Sequence, residues 1–185
     1  MKKFDKKKAM GWFIIIFMSL SVVGFMGGSF FTGNTVFKEE IYNGYTFYDN
    51  NGWQLDLGGN NYVFSYFPTE LEELVVSVDI KQWFTGDKIY LGYKPGDNFS
   101  VSRNIQQLGA VFYSNSIMPQ QACSVEEGCP DIPIIDCENK KSIILKSGLT
   151  GFVVDHNCLV VKAEDSVEMQ KLTERLIYKL LGVMN

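Results

Sequence analysis

Histidine is nearly absent from this sequence: His156 is the only one in 185 residues. A general base needs a nucleophile and an orienting carboxylate beside it, and His156 stands between Asp155 and Asn157 in a stretch that reads as a turn. Also missing are a phosphate-cradling glycine loop, a dinucleotide fingerprint, a His-Glu-x-x-His pair and a nucleophile elbow. Those absences take away the common hydrolase, kinase and dehydrogenase signatures. The sequence assigns no catalytic, cofactor-binding or metal-ligating residue, and an enzyme is the less favoured class. Cys-x-x-Cys is missing as well, which removes the usual redox pair and the usual half of a zinc site. Internal repeats are lacking, so solenoids and propellers are set aside.

Charge is missing from one long interval. Residues 9–37 contain no Asp, Glu, Lys, Arg or His, and five lysines with one aspartate precede them in residues 1–8. Those eight residues carry +4 against −4 for the chain, which leaves −8 on the remainder. An acidic remainder is a poor match for phosphate backbones, so nucleic acid is not an expected partner. The apolar part of the interval, residues 12–31, is long enough to cross a bilayer as a helix. The lysines would hold the N-terminus in the cytoplasm by the positive-inside rule.

The organisation expected is a cytoplasmic basic tail (1–8), a transmembrane signal-anchor helix (9–31), a spacer (32–40) and an extracytoplasmic domain (41–185). The alternative is a cleaved signal peptide, cut near Ser29 among the small residues Gly27 and Gly28, which would release a secreted domain. The apolar run continues through Phe30 and Phe31, past that site, and this favours the anchor. Within it Ser21, Gly24 and Gly28 are the candidate helix-contact residues, since small residues three or four apart let two membrane helices approach closely.

Past the spacer the pattern is β. Segments 45–48, 53–57 and 62–67 alternate apolar with polar residues around Asn51-Gly52 and Gly58-Gly59, an expected three-stranded meander rich in aromatic residues. Thr69 and Glu72 fit a capping box, so a helix is expected from Glu70. A buried strand over 88–93 and an amphipathic helix over 101–118 follow, with Pro119 as its stop. Asn98-Phe99-Ser100 between them is a candidate glycosylation sequon at Asn98. Residues 120–139 show no periodicity. Three short strands (142–146, 152–155, 158–162) come next, then a helix over 166–181 capped by Asp165 or Ser166, buried through Met169, Leu172, Leu176 and Leu180, and stopped by Gly182. The fold class expected is α+β: one mainly antiparallel sheet of five to seven strands with two or three packed helices.

Cys123, Cys129, Cys137 and Cys158 all fall in the segment read as extracytoplasmic, where an even number of cysteines implies disulfides. Of three connectivities the preferred one joins Cys123 to Cys129 and Cys137 to Cys158. The first bridge pins an irregular loop and the second ties its exit to a strand. Intervals of five, seven and twenty intervening residues do not suit a zinc site.

The function expected is a single-pass, membrane-anchored interaction or assembly module of the cell surface. Its partners would be the lipid bilayer and another surface protein, or a second copy met through the anchor helix. Two alternatives stand beside it. One is a receptor-like binding domain that uses the aromatic meander or the 120–139 loop; the other is an extracytoplasmic hydrolase.

Overall fold

The structure is a computed structural model that describes residues 38–80, 83, 85–97 and 101–185, the side chains of 101 and 102 excepted. Lys38–Asn185 forms one compact unit. The expected basic tail and membrane span with Ser21, Gly24 and Gly28, the alternative cleavage near Ser29 and the candidate sequon at Asn98 lie outside the described residues. Among those described, no helix is long and apolar enough to cross a membrane.

The unit is α+β, but its strands make two sheets where one was expected. The first sheet is an antiparallel meander in chain order: β1 (Lys38–Tyr42), β2 (Tyr45–Asp49), β3 (Trp53–Leu57) and β4 (Asn60–Phe64). Its first strand begins inside the stretch read as a spacer. Asn43-Gly44 and Gly58-Gly59 form its two-residue turns, all four residues at positive φ, as the tightest right-twisted hairpins require. Register puts Phe47 beside Leu55 and Trp53 beside Phe64. The alternation therefore sends the aromatic residues of the meander to one face, while Tyr48, Gln54 and Val63 take the other.

The second sheet is mixed, with strand order β6-β5-β7-β9-β8. It comprises β5 (Lys88–Tyr93), β6 (Met118–Cys123), β7 (Ser142–Ser147), β8 (Gly151–Asp155) and β9 (Cys158–Ala163). β5 pairs in parallel with β6 and β7, and β7 in parallel with β9; only β8 runs antiparallel. Parallel neighbours need a crossover, and helix α1 (Val101–Ser114) supplies the one from β5 to β6. The expected helix 101–118 therefore ends four residues early, with Ser116 at φ 62° turning the chain into β6. Pro119 does not stop the helix; it sits within β6, an end strand of the sheet, where a missing N–H is tolerated.

Helix α2 (Ser166–Leu180) closes the chain, with the Asp165 carboxylate accepting the N–H groups of Val167 and Glu168 at 2.8 Å. Seven successive residues, Leu172 to Tyr178, are buried, so this helix is covered almost all round rather than along one stripe. It lies between the two sheets. On one side it packs on β9; on the other the Tyr178 ring stacks on Phe64 of the meander at 4.1 Å. Helix α1 bridges the sheets likewise: the space beside Gly109 is filled by Leu91 of β5, and Tyr62 of β4 shares a 2.7 Å hydrogen bond with Ser114. One core results, running from Phe47, Leu55 and Phe64 through the helices to Leu91, Leu145, Leu159 and Val161.

The helix expected from Glu70 is a single 3-10 turn, Pro68–Leu71, followed by irregular chain. Its cap is Glu70, whose carboxylate accepts the Phe67 N–H at 2.6 Å, and not the Thr69–Glu72 pair. The buried α2 helix holds this segment in place of helical hydrogen bonds. Glu174 accepts the Ser65 and Tyr66 N–H groups at 2.9–3.0 Å, Tyr178 donates to Tyr66 O, Arg175 to Leu74 O and Lys179 to Val76 O. Backbone without regular structure must find partners somewhere, and here side chains of one helix supply them.

Candidate interaction surface

The two faces of the mixed sheet differ in what covers them. Ile89, Leu91, Ile143, Leu145, Leu159 and Val161 point to the helices. Ile144, Cys158 and Val160 point the other way and are covered by Ile135 and Cys137 of the β6–β7 connection. That connection, residues 124–141, crosses β5 on its way from β6 to β7, and it carries both disulfides. Cys123 is bonded to Cys129 and Cys137 to Cys158, and among the described residues no free cysteine remains.

Few apolar side chains anchor so irregular a segment, so its backbone is tied at both ends. Near the first bridge, Cys123 N–H donates to Pro133 O at 2.9 Å and Ile135 N–H to Cys123 O at 2.8 Å. Near the second, Asn157 donates from its backbone to Cys137 O and from its side chain to Glu138 O. In the middle it passes close over Gly92 of the sheet. A Cβ on Gly92 would meet the tip of the Ile135 side chain, which would have to turn aside.

Of the acidic residues on the connection, Asp136 has structural work. Asp136 accepts the Asn139 side chain at 2.7 Å and the Glu138 N–H at 3.0 Å, and these bonds hold its carboxyl below the usual carboxylate range. Glu126, Glu127 and Asp131 are exposed on the same connection, and among the described residues no cluster of His, Cys, Asp or Glu could hold a metal ion. His156 occupies the tip of the β8–β9 hairpin at φ 50°, exposed, with Nδ1 3.0 Å from the Asp155 carboxylate. Open clefts among the described residues include one of about 510 Å³ by Asp79, Lys179 and Met184 and one of about 480 Å³ by Asp87, Tyr113 and Met118. In the first, Lys179 already donates to Val76 O at 2.6 Å.

The aromatic meander is core rather than platform. Phe47 and Phe67 meet edge to face at 5.3 Å, Trp53 lies 4.5 Å from Phe67, and Tyr48 is the one meander ring on the outer face. Sequence reasoning overlooked a different feature, the outer edge of β8. Val153 and Val154 are 45% and 43% exposed there, and Leu149, just before the strand, is 82% exposed. The signal was present as Gly-Phe-Val-Val-Asp, an apolar strand without lysine or proline, but a sequence cannot say which strand ends a sheet.

Compared with protein-family models, curated proteins and solved structures, the chain matches none of them.

Proposed function

We propose that this chain is a single-pass membrane protein with a cytoplasmic N-terminus, and that residues 38–185 work outside the cytoplasm as a binding and assembly module of the cell surface. The observation that carries this reading is the pair of disulfides across the 124–141 connection. Bridges of this kind persist in oxidising compartments and are rare where thiols are kept reduced. The lysine-rich start and the uncharged interval 9–31 supply the means of getting there. Binding is favoured over catalysis because the Asp136 and Glu174 carboxylates and Nε of Arg175 bond to this chain's own backbone. An apolar strand edge left exposed is the kind of surface that binding modules use.

Alkaline carbonate extraction of membranes, combined with a membrane-impermeant amine label on intact cells, tests the reading. The full chain should stay with the membrane, and lysines of residues 38–185 should be labelled while those of residues 1–8 are not. A chain extracted by carbonate, or labelling only after lysis, contradicts it.

A further inference from the structure

Four strand edges close the two sheets, and three are protected. On β1, Lys38, Glu39 and Glu40 put successive charges along the edge. On β4, the Gln107 side chain of α1 donates to Val63 O at 2.9 Å. On β6, Pro119 interrupts the edge and residues 133–135 of the disulfide-bonded connection cover its end. Charges, prolines and covering loops are the standard means of preventing sheets from joining. The fourth edge, β8, has no proline and no covering loop, and its one charge, Asp155, stands at the end of the strand. Among the described residues nothing bonds its outer side.

We propose that β8 pairs antiparallel with β8 of a second copy of this chain, joining two five-stranded sheets into one of ten. A two-fold axis through Val153 is the centre that pairs all five residues. It sets Val153 against Val153, Phe152 against Val154, and Gly151 against Asp155 of the other copy. The charges then fall into place. Gly151 pairs on its inner side with Lys162 of β9, so Lys162, Gly151 and Asp155 of the second copy form one row on one face. Strands lie about 4.8 Å apart, and glycine leaves the middle of that row empty, so a lysine can reach a carboxylate two strands away. The two-fold makes this pair twice. Among the described residues Lys162 Nζ has no ion pair or hydrogen bond, and its stem runs 3.5 Å from the place a Gly148 Cβ would take, alongside the sheet. No like charges oppose each other anywhere in the five pairs.

Exposed ion pairs add little affinity, and their part here is to fix register. Two five-residue strands bury far less than the roughly 1,000 Å² a stable free dimer needs. The pairing therefore rests on the membrane-anchored reading, because anchoring in one plane raises the effective concentration of one copy near another. The helix faces of both sheets come to lie on the same side, and so do the two disulfide-bonded connections.

The test uses the full chain in its own membranes, with photoreactive benzoylphenylalanine at position 153, or at position 63 on the outer face of the meander as a control. The expected result is an adduct of twice the chain's mass from position 153 and none from 63. Asp155→Lys should lower its yield about fivefold by opposing like charges in both rows, and Asp155→Lys with Lys162→Asp should restore it. Non-reduced peptide maps keep folded variants apart from misfolded ones. Absence of the double-mass adduct from membrane-bound chain, an adduct to a different protein, or no restoration in a correctly bridged double variant overturns the pairing. A chain recovered outside the membrane fraction contradicts the anchored module instead.

Discussion

Ile135 lies directly over Gly92: a Cβ added to the glycine would meet the tip of the Ile135 side chain and stand 3.4 Å from Ile144 Cγ1. The irregular 124–141 connection is thereby seated on the mixed sheet as a layer of the structure.

Gly92→Ala should destabilise residues 38–185 by about 1 kcal/mol, the low end of overpacking, because the atom it meets is the movable end of the Ile135 side chain. Ile135→Ala on the same background should recover a large part of that, since it removes the atom the new methyl meets. Denaturant unfolding of the single and double variants measures both. A cost of Gly92→Ala that Ile135→Ala leaves undiminished would show that the connection does not rest over Gly92.

The two bridges should differ in weight. They close loops with sequence separations of 6 and 21. On chain-entropy grounds, replacing Cys123 and Cys129 by serine should cost about 2 kcal/mol and replacing Cys137 and Cys158 about 3 kcal/mol. The second pair also lines the small apolar cluster with Ile144 and Val160, which widens the difference. Thermal unfolding of the two double-serine variants compares them.

Glu174→Ala should be among the costliest changes in α2. The carboxylate accepts three bonds from the Ser65 and Tyr66 N–H groups, and it is fully buried. Removing it orphans those donors at about 1–3 kcal/mol each. Glu174→Gln retains one acceptor and should lose less. Amide exchange at Ser65 and Tyr66 reads the local effect: both should exchange faster in the alanine variant, whereas unchanged protection would remove Glu174 from its role.

Tyr178 gives a pH signature. Burial pushes its hydroxyl far above the ordinary tyrosine value of 10.0, with the nearby Glu174 and Glu70 carboxylates adding to the shift. A group whose folded pKa is raised keeps its full contribution below the unfolded pKa and loses it as pH climbs beyond that value. Stability of the parent should thus fall more steeply above pH 10 than that of Tyr178→Phe, while near neutrality the variant is weaker by about 1 kcal/mol for its lost bond to Tyr66 O. Parallel slopes above pH 10 would contradict the buried setting.

What could be read from residue order was local. Gly58-Gly59 and the alternation of Trp53, Leu55 and Leu57 define a hairpin by chain geometry alone, and Asp165 with the apolar spacing after it defines α2. What escaped was set by distant partners. β1 reads Lys-Glu-Glu-Ile-Tyr and β6 reads Met-Pro-Gln-Gln-Ala-Cys, neither with an apolar alternation, and both are strands because a neighbour's ladder and a crossover helix put them there. Segment 70–78 has helical spacing, yet Arg175 and Lys179 donate to its Leu74 and Val76 carbonyls across about a hundred residues of chain. The buried run Thr173-Glu174-Arg175 looked like an exposed helix face for the same reason: nothing local says that a helix lies between two sheets. The exposed β8 edge became visible only once the strand order was known.

The most direct measurement is peptide mapping of the full chain taken from cells whose thiols were alkylated before lysis. The expected map contains Cys123 joined to Cys129 and Cys137 joined to Cys158, with no alkylated cysteine in the mature protein. Four alkylated cysteines would place these residues in a reducing compartment and contradict a domain that works outside the cytoplasm.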